Sequence, residues 1–240
     1  MSIEVNTPSE KASMWYEALP QEKSWAALWS GYTICGHCHG IRRFDDKCQV
    51  CGDPEPSFEP LTIRDAGGQE RIVHTAIPGA EGRFEDWVYL RMIEREWKRP
   101  VLADDRFPGA PSDAGPSPRA AIVILFWSYF ETRIERLLRA GLRDTPERLL
   151  KDALRRYSSI GARMNEFYRI AFDVTYKDDL ETVGYGQVWP HLAAIQERRN
   201  QFAHGQPQSI DDALVQSTVE QMKVEHEAWI AVFNKRAARP

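Results

Sequence analysis

Ser117-Pro-Arg-Ala-Ala-Ile-Val-Ile-Leu-Phe-Trp-Ser-Tyr-Phe-Glu-Thr-Arg-Ile-Glu-Arg-Leu-Leu-Arg-Ala-Gly141 decides the fold class. Ile122, Leu125, Phe126, Tyr129, Ile134, Leu137 and Leu138 recur at the spacing of one helix face. Ser117 followed by Pro118 predicts an N-cap and first helical residue, and Gly141 predicts the stop. Downstream the pattern stays helical. Thr145-Pro146-Glu147 opens a second helix with Leu149, Leu150 and Leu154. A third covers about residues 162–172, and residues 178–183 form one more turn. Trp189-Pro190 opens the next helix, which ends at Gly205-Gln-Pro207. Ser209-Ile-Asp211-Asp212 caps the last, whose stripe is Val215, Val219, Met222, His226, Trp229 and Phe233. These helices predict a C-terminal α-helical bundle with its own core over residues 119–240.

Upstream, residues 100–118 hold five prolines and two glycines without a helical period, and read as a linker. Residues 1–99 read as a small separate module. Its aromatic lead-in (Trp15, Tyr16, Leu19, Trp25, Leu28, Trp29) precedes a cysteine-rich stretch. Two β-branched runs around Gly67-Gly68 predict a β-hairpin, and Phe84, Trp87, Val88, Met92 and Trp97 fit one face of a short helix. The expected class is therefore mainly α, with a small N-terminal module.

The chain has 240 residues, 42% of them apolar, and a net charge of −4. That composition excludes a disordered chain. No apolar run approaches the ~20 residues that span a bilayer, and the N-terminus lacks the basic and apolar regions of a secretory signal. The expected location is the cytoplasm, with no membrane partner. The charge is uneven: residues 1–118 carry net −6, residues 119–169 net +5 and residues 170–240 net −3. A basic middle is either a local anion-binding face or a solvated helix surface.

All four cysteines fall in one window, as Cys35-Gly-His-Cys38 and Cys48-Gln-Val-Cys51. Each Cys-x-x-Cys turn aims two sulfurs at one point, and two such turns complete a tetrahedral thiolate site for structural Zn2+. In a cytosolic chain this outweighs disulfides. Gly40 and Gly52 suit turns that fold backbone amides toward sulfur, and His37 and His39 read as surface bystanders. The stretch resembles a zinc ribbon over about residues 30–55. Arg42 and Arg43 lie in its loop, offset by Asp45 and Asp46.

The anomaly is in the helix ending at Gly205. Its apolar stripe runs Val188, Leu192, Ile195, then Arg199, then Phe202. A guanidinium on an apolar stripe needs a partner, an interface or a ligand. Asn200 and His204, four residues apart, share a face, and His204 stands at the helix end, where a cation is favoured. Arg, Asn and His suit phosphodiester cleavage. Histidine takes a proton from an RNA 2′-hydroxyl or returns one to the leaving 5′-oxygen. Arginine holds the charge developing on phosphate. One copy of each is thin equipment, and two copies across a two-fold axis would supply a pair. The plainer alternative is that Arg199 pairs with Glu197, Glu131 or Glu135.

Arg199-Asn200-Gln-Phe-Ala-His204 resembles the Arg-x(4–6)-His motif of the HEPN superfamily, and Ser128-Tyr-Phe-Glu131-Thr-Arg-Ile-Glu135-Arg-Leu-Leu138 is similar to that family's first helix. The resemblance covers about residues 117–236. It implies a HEPN-like helical bundle and a metal-independent endoribonuclease of toxin or antiviral-defence type. In such homodimers the Arg and His of both copies meet in a cleft, and an antitoxin or trigger protein is a further partner. By that resemblance Arg199 stabilises the scissile phosphate, His204 transfers protons or binds phosphate, and Asn200 assists. Members silenced by nucleotidylation carry a Tyr two residues after the His. Gln206 stands there, which argues against that regulation. The reading from another class is a non-catalytic adaptor that binds a partner through the ribbon and dimerises through the bundle.

Overall fold

Two short antiparallel hairpins come first in the chain. Strands β1 (Tyr32–Ile34) and β2 (Ile41–Arg43) pair with Tyr32 opposite Arg43, and β3 (Glu59–Arg64) and β4 (Glu70–Thr75) pair with Glu59 opposite Thr75. All else regular among the described residues of the computed structural model is helical. It describes residues 32–43, 46–54, 59–64, 70–75, 84–102 and 115–239. The aromatic lead-in, the Gly67-Gly68 turn and residues 103–114 of the proline-rich segment lie outside the described residues.

The helices are α1 (Phe84–Lys98), α2 (Ala121–Gly141), α3 (Glu147–Arg156), α4 (160–172), α5 (Tyr176–Thr182), α6 (Val188–Ala203) and α7 (Asp212–Ala237). The middle of α4, Arg163–Phe167, is wound as a π-helix, and Pro207–Ser209 is a 3-10 turn between α6 and α7. The protein is mainly α, as the sequence predicts. No helix among the described residues is long and apolar enough to cross a membrane.

The chain divides into two compact units. One holds Met1–Trp87 with Ala237–Pro240, and the other holds Val88–Arg236. The division falls within α1, ahead of the proline-rich segment. Within the helical unit α1 contributes Leu90 and Ile93, both fully buried, while Val88 is 37% and Met92 44% exposed. The buried face of α1 is thus rotated from the expected one and carries Glu94 as well. Arg119 fixes the approach to α2. Its guanidinium lies over the Trp97 ring at 5.0 Å and donates to the Arg99 carbonyl at 2.9 Å.

α2 is the central helix, with Ile122, Val123, Phe126, Trp127, Tyr129, Phe130, Ile134, Leu137 and Leu138 buried. It begins three residues later than Ser117-Pro118 predicts, because 118–120 form a turn. Ser117 Oγ accepts the Arg119 N–H at 3.1 Å and donates to Asp212 Oδ1 at 2.6 Å, tying the entry of α2 to the start of α7. Gly141 is the last helical residue, and packing requires a glycine there: a Cβ would stand 2.6 Å from the Phe172 ring. Against α2 pack α6 and the π-turn of α4.

Local chemistry sets the helix ends. Thr175 and Asp178 form a reciprocal capping box at α5, and the Thr175 hydroxyl and N–H hold the Asp178 carboxyl below its ordinary range. Asp211 Oδ1 accepts the Leu214 N–H at 2.8 Å and starts α7, as the sequence predicts.

Asp179 on α5 is fully buried. It accepts Arg236 twice at 2.5 Å, Lys235 at 2.8 Å and the Tyr168 hydroxyl at 2.5 Å, so α5 is bolted to α4 and to the end of α7. Burial opposes its ionisation, but these donors outweigh burial and hold its carboxyl below the ordinary range. A depressed folded pKa contributes stability above the unfolded value of about 3.9 and loses it as pH falls through the folded value. Asp179→Asn is expected to cost about 2–3 kcal/mol at pH 7, and less below pH 4, where the wild type loses the same term. Urea denaturation at pH 7 and pH 3.5 checks this; an equal cost at both would sink the assignment.

Candidate functional site

The two Cys-x-x-Cys turns fold as near copies. In the first, the His39 N–H bonds to the Cys35 carbonyl at 2.9 Å and the Cys35 N–H to the Gly40 carbonyl at 2.8 Å. In the second, Gly52 N–H bonds to Cys48 and Cys48 N–H to Asp53, both at 2.8 Å. The left-handed residue is Gly52 at φ 76° in one and His39 at φ 59° in the other. The first turn therefore places a histidine, not Gly40, where glycine is easiest. The Gly40 amide instead donates to Cys38 Sγ at 3.4 Å. His37 and His39 are exposed and stand outside the sulfur cluster.

The turns bring all four sulfurs within 4.8 Å of one another, with Cys35 and Cys51 3.7 Å apart and Cys38 and Cys48 3.6 Å apart. All four are free thiols. Burial pushes Cys35 up and Cys38 up to about 12. Burial raises Cys48 too, but the backbone N–H groups of Cys51 and Val50 bring it down to about 7. Four crowded thiolates need a central cation to ionise together, and these residues can hold a metal ion. Arg42 is buried and donates to the carbonyls of Asp53 at 2.9 Å, Arg43 at 3.2 Å and Asp46, so it braces the second turn. Arg43 lies over the Tyr32 ring at 4.7 Å.

Sequence reasoning singled out Arg199, Asn200 and His204; Arg199 lies just ahead of the last turn of α6, Asn200 in that turn, and His204 is the C-cap. Arg199 is half-buried, and its Nη1 donates to Asn200 Oδ1 at 3.2 Å. Among the described residues it has no carboxylate partner. Glu135 is taken by Arg139 at 3.0 Å and Arg163 at 3.1 Å, and Glu197 accepts the Gln201 amide at 3.3 Å. His204 is exposed. Its N–H closes the helix on the carbonyls of Asn200 and Gln201, and Gly205 follows at φ 86°. Arg199 and Asn200 are brought together. Arg199 and His204 are five residues apart, about 140° around the helix axis, and leave α6 in different directions.

The neighbouring Arg198 behaves in the opposite way. It donates to the Ser209 carbonyl and pairs with Asp211, while Ser209 Oγ donates to the Arg198 carbonyl at 2.8 Å. It fastens the 3-10 turn onto α6. A cavity of about 400 Å³ opens beside it, lined by Glu197, Gln201, Gln206, Gln208 and Ser209 among others.

Within the basic middle, Arg133 and Arg136 are buried, Arg139, Lys151, Arg155 and Arg163 are ion-paired, and Arg143, Arg148, Arg156 and Arg169 are exposed. Other histidines stay outside the site. His226 is buried on α7, and His191, expected to be exposed, is half-buried with burial holding its pKa down. Three features escaped the sequence reading: the buried Arg133–Glu225 pair, the Asp179 bolt, and the tail residues 237–239 in the cysteine unit. Each is a charge or a chain end whose partner is remote in sequence.

Comparison with protein-family models, with curated proteins and with solved structures returns no match for this chain.

Proposed function

We propose that the chain is a homodimeric endoribonuclease of toxin or antiviral-defence type, with a HEPN-like bundle and a zinc-binding cysteine ribbon. The observation that carries the reading is Arg199. A half-buried guanidinium on an apolar stripe, with Asn200 as its only bonded neighbour among the described residues, is poised for an external anion. The RNA 2′-oxygen attacks phosphorus and its proton goes to one imidazole. The 5′-oxygen leaves with a proton from the other, giving a 2′,3′-cyclic phosphate and a 5′-hydroxyl end. Arg199 holds the phosphate charge. The divergent directions of Arg199 and His204 within one α6 support a site shared between two copies. The amides of Gln201 and Gln206, which line the cavity beside Arg198, offer donors and acceptors to base edges.

Zinc fits the cysteines on geometry. A tetrahedron with ~2.3 Å zinc–sulfur bonds has edges of about 3.8 Å; two of the six sulfur pairs stand at 3.6 and 3.7 Å and the rest lie within 4.8 Å. The expected content is one zinc per chain, lost in Cys38→Ser, and elemental analysis of purified protein measures it. Wild-type protein with no bound metal after purification and zinc dialysis would sink the assignment.

The nuclease is tested by inducing wild type, Arg199→Ala and His204→Ala in cells, with and without phage, and sequencing 5′-hydroxyl RNA ends. New ends in wild type that vanish in both variants support the reading. The same ends from all three folded proteins favour the adaptor reading, in which Arg199 lies in a dimer seam without chemistry.

A further inference from the structure

Residues 238 and 239 lie against the cysteine cluster. Ala238 packs against buried Cys35, Cys38 and Cys48, and the Arg239 N–H donates to the Cys38 carbonyl at 2.7 Å. Ala237 is buried, and residues 237–240 group with the N-terminal unit rather than with the helical one. The two cysteine turns satisfy their own equivalent carbonyls: Cys35 accepts from His39 and Cys48 from Gly52. The Cys38 carbonyl takes its donor from the far end of the chain.

We infer that residues 237–239 are a working part of the metal centre. The tail closes one side of the thiolate cluster with an apolar wall and a backbone hydrogen bond. The ribbon in turn acts as a clasp for the C-terminal end rather than as an open nucleic-acid reader. This rests on the metal reading of the four cysteines and is independent of RNA cleavage. The fate of the ribbon's arginines agrees. Arg42 is consumed by carbonyls and Arg43 lies over Tyr32, so neither is presented as a bare cation. The shell around a metal site controls solvent access to its ligands. A tail that shields the sulfurs therefore slows metal loss. By linkage, bound metal seats the tail to the same degree.

The experiment follows zinc release from the full-length protein, from a variant lacking residues 237–240, and from Arg239→Pro, which removes the donated N–H together with the arginine side chain. Zinc-loaded protein is mixed with excess chromogenic chelator, and far-UV circular dichroism confirms that helix content is unchanged. The expected result is release faster by about 10-fold or more in both variants, the size usual for second-shell losses. Carboxypeptidase supplies the reciprocal readout, and is expected to trim the tail of chelator-treated protein faster than that of zinc-loaded protein. Release at the wild-type rate in both variants, or equal trimming with and without zinc, overturns the inference. Full-length protein that binds no zinc overturns it together with the metal assignment, whatever the RNA assays show.

Discussion

Glu225→Ala is expected to cost about 3–5 kcal/mol of folding free energy, the penalty for stranding one member of a buried ion pair. Arg133 on α2 and Glu225 on α7 are 0% and 1% exposed, with Nη1 and Oε2 2.7 Å apart. The Arg133 guanidinium lies 4.8 Å from the Tyr129 ring centre and 4.4 Å from that of Trp229, so it has no route to water when the carboxylate goes. Against a typical stability of about 5–15 kcal/mol the loss is large. Burial outweighs the pull of Arg133 and leaves the Glu225 carboxyl above its ordinary range. Its charge is tolerated rather than favoured. The double variant Arg133→Met with Glu225→Leu is therefore expected to be far more stable than the sum of the singles. Urea denaturation of all four proteins by circular dichroism measures the cycle. Single variants costing under about 1 kcal/mol would show that the pair does not hold the bundle.

This pair shows where helical periodicity stops being informative. The stripe on α7 was legible: Val215, Met222, His226, Trp229 and Phe233 are buried as their spacing requires, and Val219 is half-buried. Period alone assigns Glu225 to the flank of that stripe. Only the position of α2, which brings Arg133 opposite, explains its burial. α1 fails in the same way. Val88 and Met92 fit an apolar face as well as Leu90 and Ile93 do, and tertiary packing selects the second pair. Asp179, Lys235 and Arg236 each read as solvated charges until α5 and the end of α7 are seen together.

The candidate sites were unequally legible. The cysteine cluster could be read because each Cys-x-x-Cys turn is local geometry: β1 and β2 flank the first turn, and the second follows β2 closely in the chain. The closure of that cluster by Ala238 and Arg239 could not, because no short-range pattern links the ends of a chain. For α6, the sequence marked Arg199 as out of place on an apolar stripe but could not say what it touches. Two adjacent arginines look alike in sequence. The fold separates them, because the 3-10 turn and Asp211 lie on the side of α6 that Arg198 faces.

That separation gives the sharpest test of the proposed chemistry. Arg199→Ala is expected to lower RNA cleavage by at least ~10²-fold, the scale for losing a preorganised charge at a developing oxyanion. His204→Ala is expected to lower it by ~10²–10⁴-fold, the range for a positioned proton-transfer group. Neither should shift the melting temperature appreciably, since Arg199 has only the bond to Asn200 at 3.2 Å and His204 is exposed. Arg198→Ala is expected to do the reverse. It frees the Ser209 carbonyl and the Asp211 carboxylate at a half-exposed site, costing about 1–2 kcal/mol of stability with a smaller effect on cleavage by the molecules that remain folded. Mixing Arg199→Ala with His204→Ala protein then addresses the dimer. A heterodimer whose remaining Arg199 and His204 share one cleft regains a fraction of the cleavage, with one of the two proton transfers left to water, whereas a site within one copy regains none. Cleavage at the wild-type rate by Arg199→Ala, with Arg198→Ala inactive yet fully folded, would mean that the wrong arginine of the pair has been assigned to the phosphate.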